Sequence, residues 1–142
     1  MKIVQLSYSL SSGGGERFVV DLSNRLAENP DNEVILLTTD DEQNPKNIHY
    51  LNDLSQRVRF VNLHCHSGQS IKSFIKVYEF IKSERPDLVH AHCNILLLYL
   101  PAFLICKVKY VHTLHNLAKV CLKYKWCRPC LLYTSPSPRD TR

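Results

Sequence analysis

Gly13, Gly14 and Gly15 stand side by side and are followed by Glu16, in a chain with only four glycines among 142 residues. Lacking a Cβ, such a turn can bend with positive φ and let main-chain N–H groups come close to a bound group. A helix that opens just behind it would aim unpaired N–H groups and the positive end of its dipole at the same place. That combination favours phosphate, and a diphosphate-bearing ligand is the natural guest. The competing reading is a flexible turn that caps a helix, and Glu16 suits both, because an acid in the first turn complements the dipole. The spacing is not a dinucleotide fingerprint: counted from Gly13, the third glycine of G-x-G-x-x-G would be Phe18. No Gly-Lys-Ser/Thr follows, which excludes a P-loop. Asp40 or Asp41 lies where a ribose-binding acid would sit, so a Rossmann-type NAD(P)-dependent oxidoreductase stays open as an alternative.

Histidines supply the second set of candidates. His92 and Asn94 follow one apolar run, and His115 ends another. A neutral imidazole can accept or donate hydrogen bonds to hydroxyl groups near pH 7. A histidine at a strand end can equally be a satisfied structural residue, and His90 is expected to point into the core. His64-Cys65-His66 and His90-x-His92-Cys93 raise the question of zinc. Neither has the ligand spacing of structural zinc sites, and neighbours on a strand face opposite ways, so no metal is expected. Cys127-Arg-Pro-Cys130 has the C-x-x-C spacing of redox and zinc motifs.

The elements that must position these residues alternate. KIVQLSY (Lys2 to Tyr8) reads as a strand, and Glu16 to Glu28 as an amphipathic helix with Phe18, Val19, Leu22 and Leu26 at helical spacing. EVILLTT (Glu33 to Thr39) is a near-continuous apolar run of the kind buried on both faces of a parallel sheet. RVRFVNL (Arg57 to Leu63) is a third strand, and Asp40 to Asp53 before it is expected to be a surface loop. Ile71, Phe74, Ile75, Tyr78 and Ile81 mark a helix stopped by Pro86; Asp87 to His92 is a fourth strand. Ile95 to Ile105 makes a helix interrupted by Pro101, and KYVHTLH (Lys109 to His115) a fifth strand. Ala118 to Arg128 has only a weak helical pattern. Strand–helix alternation of this period implies right-handed βαβ units in a doubly wound, Rossmann-like parallel sheet. Ligands of such sheets sit outside the carboxyl ends of the strands, where Gly13 to Gly15, His92 and His115 fall.

Composition sets the outer bounds. A hydrophobic content of 44% and charged content of 22% fit a globular domain. The net charge of +5 is scattered, with a mild cluster at Lys107, Lys109, Lys119, Lys123, Lys125 and Arg128. No aromatic-interleaved basic stripe points to nucleic acid; attraction to acidic lipids or phosphorylated substrates is the functional alternative. Met1-Lys2 leads into a segment too short and polar for a secretory signal. The longest apolar run, Ile95 to Cys106, is twelve residues, against roughly 20 for a membrane span. A cytoplasmic protein with free thiols is therefore expected. The last thirteen residues, CLLYTSPSPRDTR, show neither period. Cys130 to Asp140 can be encoded by a sequence that resembles a transposase-type sequencing adapter. Residues 130–142 are accordingly treated as a non-native, disordered tail, and 1–129 as an incomplete domain whose natural gene ran on.

Three stretches carry a resemblance in their order and spacing. They are SSGGGERFVVDLSNRL (Ser11 to Leu26), RPDLVHAHCN (Arg85 to Asn94) and VHTLHN (Val111 to Asn116). Together they resemble the N-terminal domain of glycosyltransferase family 4, enzymes of GT-B architecture in which two Rossmann-like domains face each other across a cleft. The resemblance covers about residues 1 to 116. It implies retaining, metal-independent transfer of a sugar from a nucleotide-sugar donor to a saccharide or lipid-linked acceptor, without a resident cofactor. It places Gly13, Gly14 and Gly15 near the donor diphosphate and sugar, His115 near the donor sugar as the catalytic residue, and His92 and Asn94 at the acceptor. The basic surface leaves open a peripheral contact with the inner face of a membrane from a cytoplasmic position. Family members keep most donor contacts, a basic pair and a glutamate-rich motif, in a second domain that nothing here matches, so this chain alone is expected to be inactive. A non-catalytic sugar-phosphate-binding module is the third reading.

Overall fold

The computed structural model describes residues 1–40, 45–65, 70–92 and 96–115. Five parallel strands form one sheet in the order β3-β2-β1-β4-β5, from β1 (Lys2–Ser7), β2 (Glu33–Thr38), β3 (Val58–Asn62), β4 (Leu88–His92) and β5 (Lys109–Thr113). The order reverses direction at β1, which pairs with β2 on one side and β4 on the other. In an open sheet that reversal opens a crevice at the carboxyl ends.

The helices cover both faces. α1 (Gly14–Ala27) lays Val19, Val20 and Ala27 onto Val34, Leu36 and Val58. α2 (Ile71–Glu84) and α3 (Leu96–Ile105) take the opposite face, where Val77, Ile81, Tyr99, Ala102 and Phe103 bury Val4, Leu6, Ile35, Leu37, Val89 and Ala91. β1 and β2 are thus buried on both sides, which is why their sequence is nearly continuous rather than alternating.

Local chemistry sets the helix ends. Ser70 caps α2 through a reciprocal pair with Ser73, and its C-cap Arg85 is left-handed (φ 47°) just before Pro86. Two expectations are corrected. α3 is not interrupted at Pro101; the exposed proline removes one backbone bond, and burial of Tyr99, Ala102 and Phe103 holds the turn together. Within the expected surface loop, short 3-10 turns at Pro45–Ile48 and Leu51–Asp53 bring Tyr50, Leu51 and Leu54 against the α1 core. At the amino end of the sheet, Glu84 accepts from Lys2 at 3.0 Å and Arg59 at 2.7 Å, tying α2 to β1 and β3. Those two cations hold the Glu84 carboxyl below its usual range, Arg59 foremost. Among the described residues, no helix is long and apolar enough to cross a membrane. Cys65 and Cys106 are free thiols. The weak helical pattern at Ala118 to Arg128 and the tail from Cys130 lie outside the described residues.

Candidate functional site

The chain leaves β1 through Tyr8 to Ser12 and turns straight into α1. Gly13 is the N-cap, with extended backbone (φ −104°, ψ 157°), and no side chain caps the helix. Gly14 and Gly15 are not loop residues but the first turn of α1. None of the three adopts a positive φ, so freedom to bend is not what these positions require. The reason differs at each. A Cβ on Gly15 would stand 3.1, 3.2 and 3.3 Å from Cγ, Cβ and Cδ2 of His115, so glycine here lets the helix start touch that ring. A Cβ on Gly13 would fall on the Glu16 carboxylate, which folds back over the turn and accepts from Ser11 Oγ at 3.3 Å. At Gly14 an added Cβ meets nothing within 4 Å. Helix geometry leaves the N–H groups of Gly14, Gly15 and Glu16 without intrahelical partners, at the helix start that touches His115.

Beneath that rim runs a buried polar chain. Gln5 in β1 and His92 at the end of β4 are 1% and 0% exposed. His92 Nε2 lies 2.7 Å from Gln5 Oε1, and His92 Nδ1 lies 3.1 Å from His115 Nε2. The His92 and His115 rings stack at 5.3 Å with an interplanar angle of 16°. His90, half-buried on the same face of β4, sits 4.1 Å from the His92 ring and bonds Thr113 Oγ1 at 2.8 Å. Phe18, from α1, covers the cluster at 5.2 Å from His115 and 6.3 Å from His92, while staying 45% exposed.

Electrostatics keep these rings neutral. Burial, then the neighbouring histidines, push His92 down to about 3. Burial also lowers His90, with His115 and His112 adding to it. His115 is lowered by burial and by His112, while Glu16 pulls the other way. The site therefore sets neutral imidazoles, able to hydrogen-bond hydroxyls, beside the start of α1, with the Glu16 carboxylate folded over the same turn.

The structure brings Gly13, Gly14, Gly15, His92 and His115 to one rim; Asn94 lies outside the described residues. His92, expected against an acceptor, is fully buried, with one ring nitrogen against Gln5 and the other against His115. His90 is half-buried and bonded to Thr113 rather than enclosed in the apolar core. Gln5 and Phe18 were not singled out as site residues. A lone amide inside the buried run Lys2–Ser7 was the available signal for Gln5; Phe18 looked like one more apolar residue of a helix face. Among the described residues, no group of three His, Cys, Asp or Glu side chains is arranged to hold a metal ion; His66 and Cys93 lie outside them.

A parallel sheet wound on both faces, with a helix start and His115 at its carboxyl rim, is a Rossmann-like domain of the kind that forms the N-terminal half of a GT-B fold. The sequence profile of Glycosyltransferase Family 4 matches residues 12–137, and the chain belongs to that family. No curated protein matches it.

Proposed function

We propose that this glycosyltransferase domain serves a retaining, metal-independent transfer of a sugar from a nucleotide-sugar to a saccharide or lipid-linked acceptor, with no resident cofactor. The observation that carries the reading is the contact of Gly15 with the His115 ring, which sets the α1 amides beside a neutral histidine. Breaking a sugar–phosphate bond puts positive charge on the anomeric carbon and negative charge on the leaving diphosphate. Amides fixed at the helix start favour that leaving charge, and such preorganised donors are commonly the largest catalytic term. In this reading Gly13, Gly14 and Gly15 lie along the donor diphosphate and His115 meets the donor sugar. His92 acts through His115, and Asn94 keeps a role at the acceptor. A cytoplasmic place in glycan biosynthesis, with peripheral contact at the inner face of a membrane, belongs to the same proposal.

The 142 residues hold no match to the family's basic pair or glutamate-rich motif. We therefore expect the chain by itself to turn over no donor; release of sugar from a UDP-sugar by the purified chain contradicts this. The reading itself is tested by titrating the chain with UDP-sugars and with NAD(H), followed by calorimetry and NMR. A UDP-sugar is expected to shift the Gly14 and Gly15 amides and the His115 ring. Preference for NAD(H) at micromolar affinity overturns the reading in favour of the oxidoreductase. Sugar-phosphate binding at the rim without nucleotide dependence favours the non-catalytic module.

A further inference from the structure

We propose that Gln5 is a positioning residue that fixes, through His92, which nitrogen of His115 carries the proton, so that His115 offers a bare Nδ1 lone pair to a hydroxyl of the ligand. The inference deepens the sugar-transfer reading by assigning the kind of group the histidine accepts.

The argument is one of donors and acceptors. Gln5 Oε1 lies 2.7 Å from His92 Nε2; with the amide oxygen on that side, which can only accept, the proton of His92 sits on Nε2. A neutral imidazole has one N–H, so His92 Nδ1 is then an acceptor. The group 3.1 Å from it, His115 Nε2, must donate. His115 is neutral too, so its own proton is spent on His92, and Nδ1 is left as a lone pair. Burial supports each step: His92 is driven to about 3, far from carrying two protons at neutral pH. The titratable groups around this chain are His90 on β4, His112 and His115 from β5 and the residues behind it, and Glu16 on α1.

The consequence is selectivity. A lone pair on Nδ1 accepts from a hydroxyl and repels a phosphate oxygen, which carries no proton to give. The anionic part of a donor is thereby left to the α1 amides, and the hydroxyl-bearing sugar to His115. Were the Gln5 amide reversed, every bond in the chain would reverse, and His115 would present an N–H instead. A buried glutamine 87 residues away from His92 thus sets the polarity of a rim residue it never touches.

Long-range proton–nitrogen NMR on the 142-residue chain with labelled histidine tests this without any substrate. His92 and His115 are both expected as Nε2–H tautomers at neutral pH. His115 protonated on Nδ1, or averaging between tautomers, overturns the proposal. In Gln5→Leu the acceptor is gone, and His115 should average between tautomers while Gly15 keeps it in place; an unchanged tautomer overturns the proposal. In Gln5→Glu a buried carboxylate should raise the proton affinity of His92. Once His92 is doubly protonated it donates from both nitrogens, so the His115 proton should move to Nδ1 as the pH is lowered. A role in packing alone predicts no such inversion, and its absence in a folded Gln5→Glu chain overturns the proposal. Should the tautomers hold while UDP-sugars leave His115 unmoved, the proton assignment stands and the sugar-transfer reading falls.

Discussion

Replacing Gly15 by alanine adds one methyl group where α1 meets His115, and Gly14→Ala adds the same group one residue earlier in open space. Gly→Ala in a helix gains about 0.4–1 kcal/mol from helix propensity and a less free unfolded chain. Gly14→Ala should realise that gain, because nothing lies within 4 Å of the new methyl; melting should rise by about 2–4 °C. At Gly15 the methyl would sit 3.1 Å from His115 Cγ, against about 3.5–4.0 Å for a comfortable carbon contact. The ring must yield by roughly 0.5 Å, and the 3.1 Å bond to His92 then approaches the ~3.6 Å at which a hydrogen bond is lost. That bond carries about 0.5–1.5 kcal/mol, so it offsets the helical gain and leaves melting nearly unchanged. Function should not be so forgiving. A misplacement of about 1 Å can cost on the order of 100-fold in rate, so on the proposed reading a shift of half that size at His115 should lower sugar transfer by an intact enzyme bearing Gly15→Ala by on the order of 10-fold. Melting by circular dichroism and NMR of the His92 and His115 rings provide the assay. Equal gains in melting temperature from both alanines, with His115 resonances undisturbed in each, would refute the packing account.

Stability should fall with acid in a way traceable to His92. Its pKa lies at about 3 in the folded state against 6.5 ordinarily, so between those limits the unfolded chain binds the extra proton. Above pH 6.5 the imidazole is neutral in both states and nothing is lost; below it the folded state is penalised by about 1.4 kcal/mol per pH unit, to roughly 5 kcal/mol across the window. Denaturation curves of His92→Gln should show a shallower slope, with the share owed to His90, His115 and Glu84 remaining, and an unaltered slope would sink the assignment. His92→Ala should cost about 2–4 kcal/mol in urea unfolding, because it leaves a cavity and strands the Gln5 amide. Glu16→Gln should lower the proton affinity of His115 further, since that carboxylate is what raises it; NMR titration showing a rise would contradict this. Glu84→Gln should cost about 1 kcal/mol, and less in high salt, by releasing Lys2 and Arg59. The lowered Glu84 pKa means its contribution holds above the ordinary carboxylate range and fades as pH falls through it.

The alternation of strands and helices could be read directly from the chain, because burial on both faces of a central strand forces the unbroken apolar runs at Lys2–Ser7 and Glu33–Thr38, and because helices repeat their apolar faces every three to four residues. Ser70 with Ser73, and Arg85 before Pro86, end α2 by purely local bonding. The glycine run, His92 and His115 could likewise be placed on one rim, since parallel strands all end on the same side. What each residue does there could not be read, because it depends on neighbours remote in sequence. Gly15 looked like freedom of the backbone and is instead an absent methyl that makes room for His115. His92 looked like a ligand group and is enclosed, its nitrogens claimed by residues 87 and 23 positions away. Pro101 looked like a break, yet packing against the sheet outweighs one missing backbone bond. Local pattern fixes the elements and their order, because period and capping act over a few residues. The polarity of the buried Gln5–His92–His115 chain arises only when the folded sheet brings three distant side chains within bonding distance and excludes the water that would otherwise satisfy each alone.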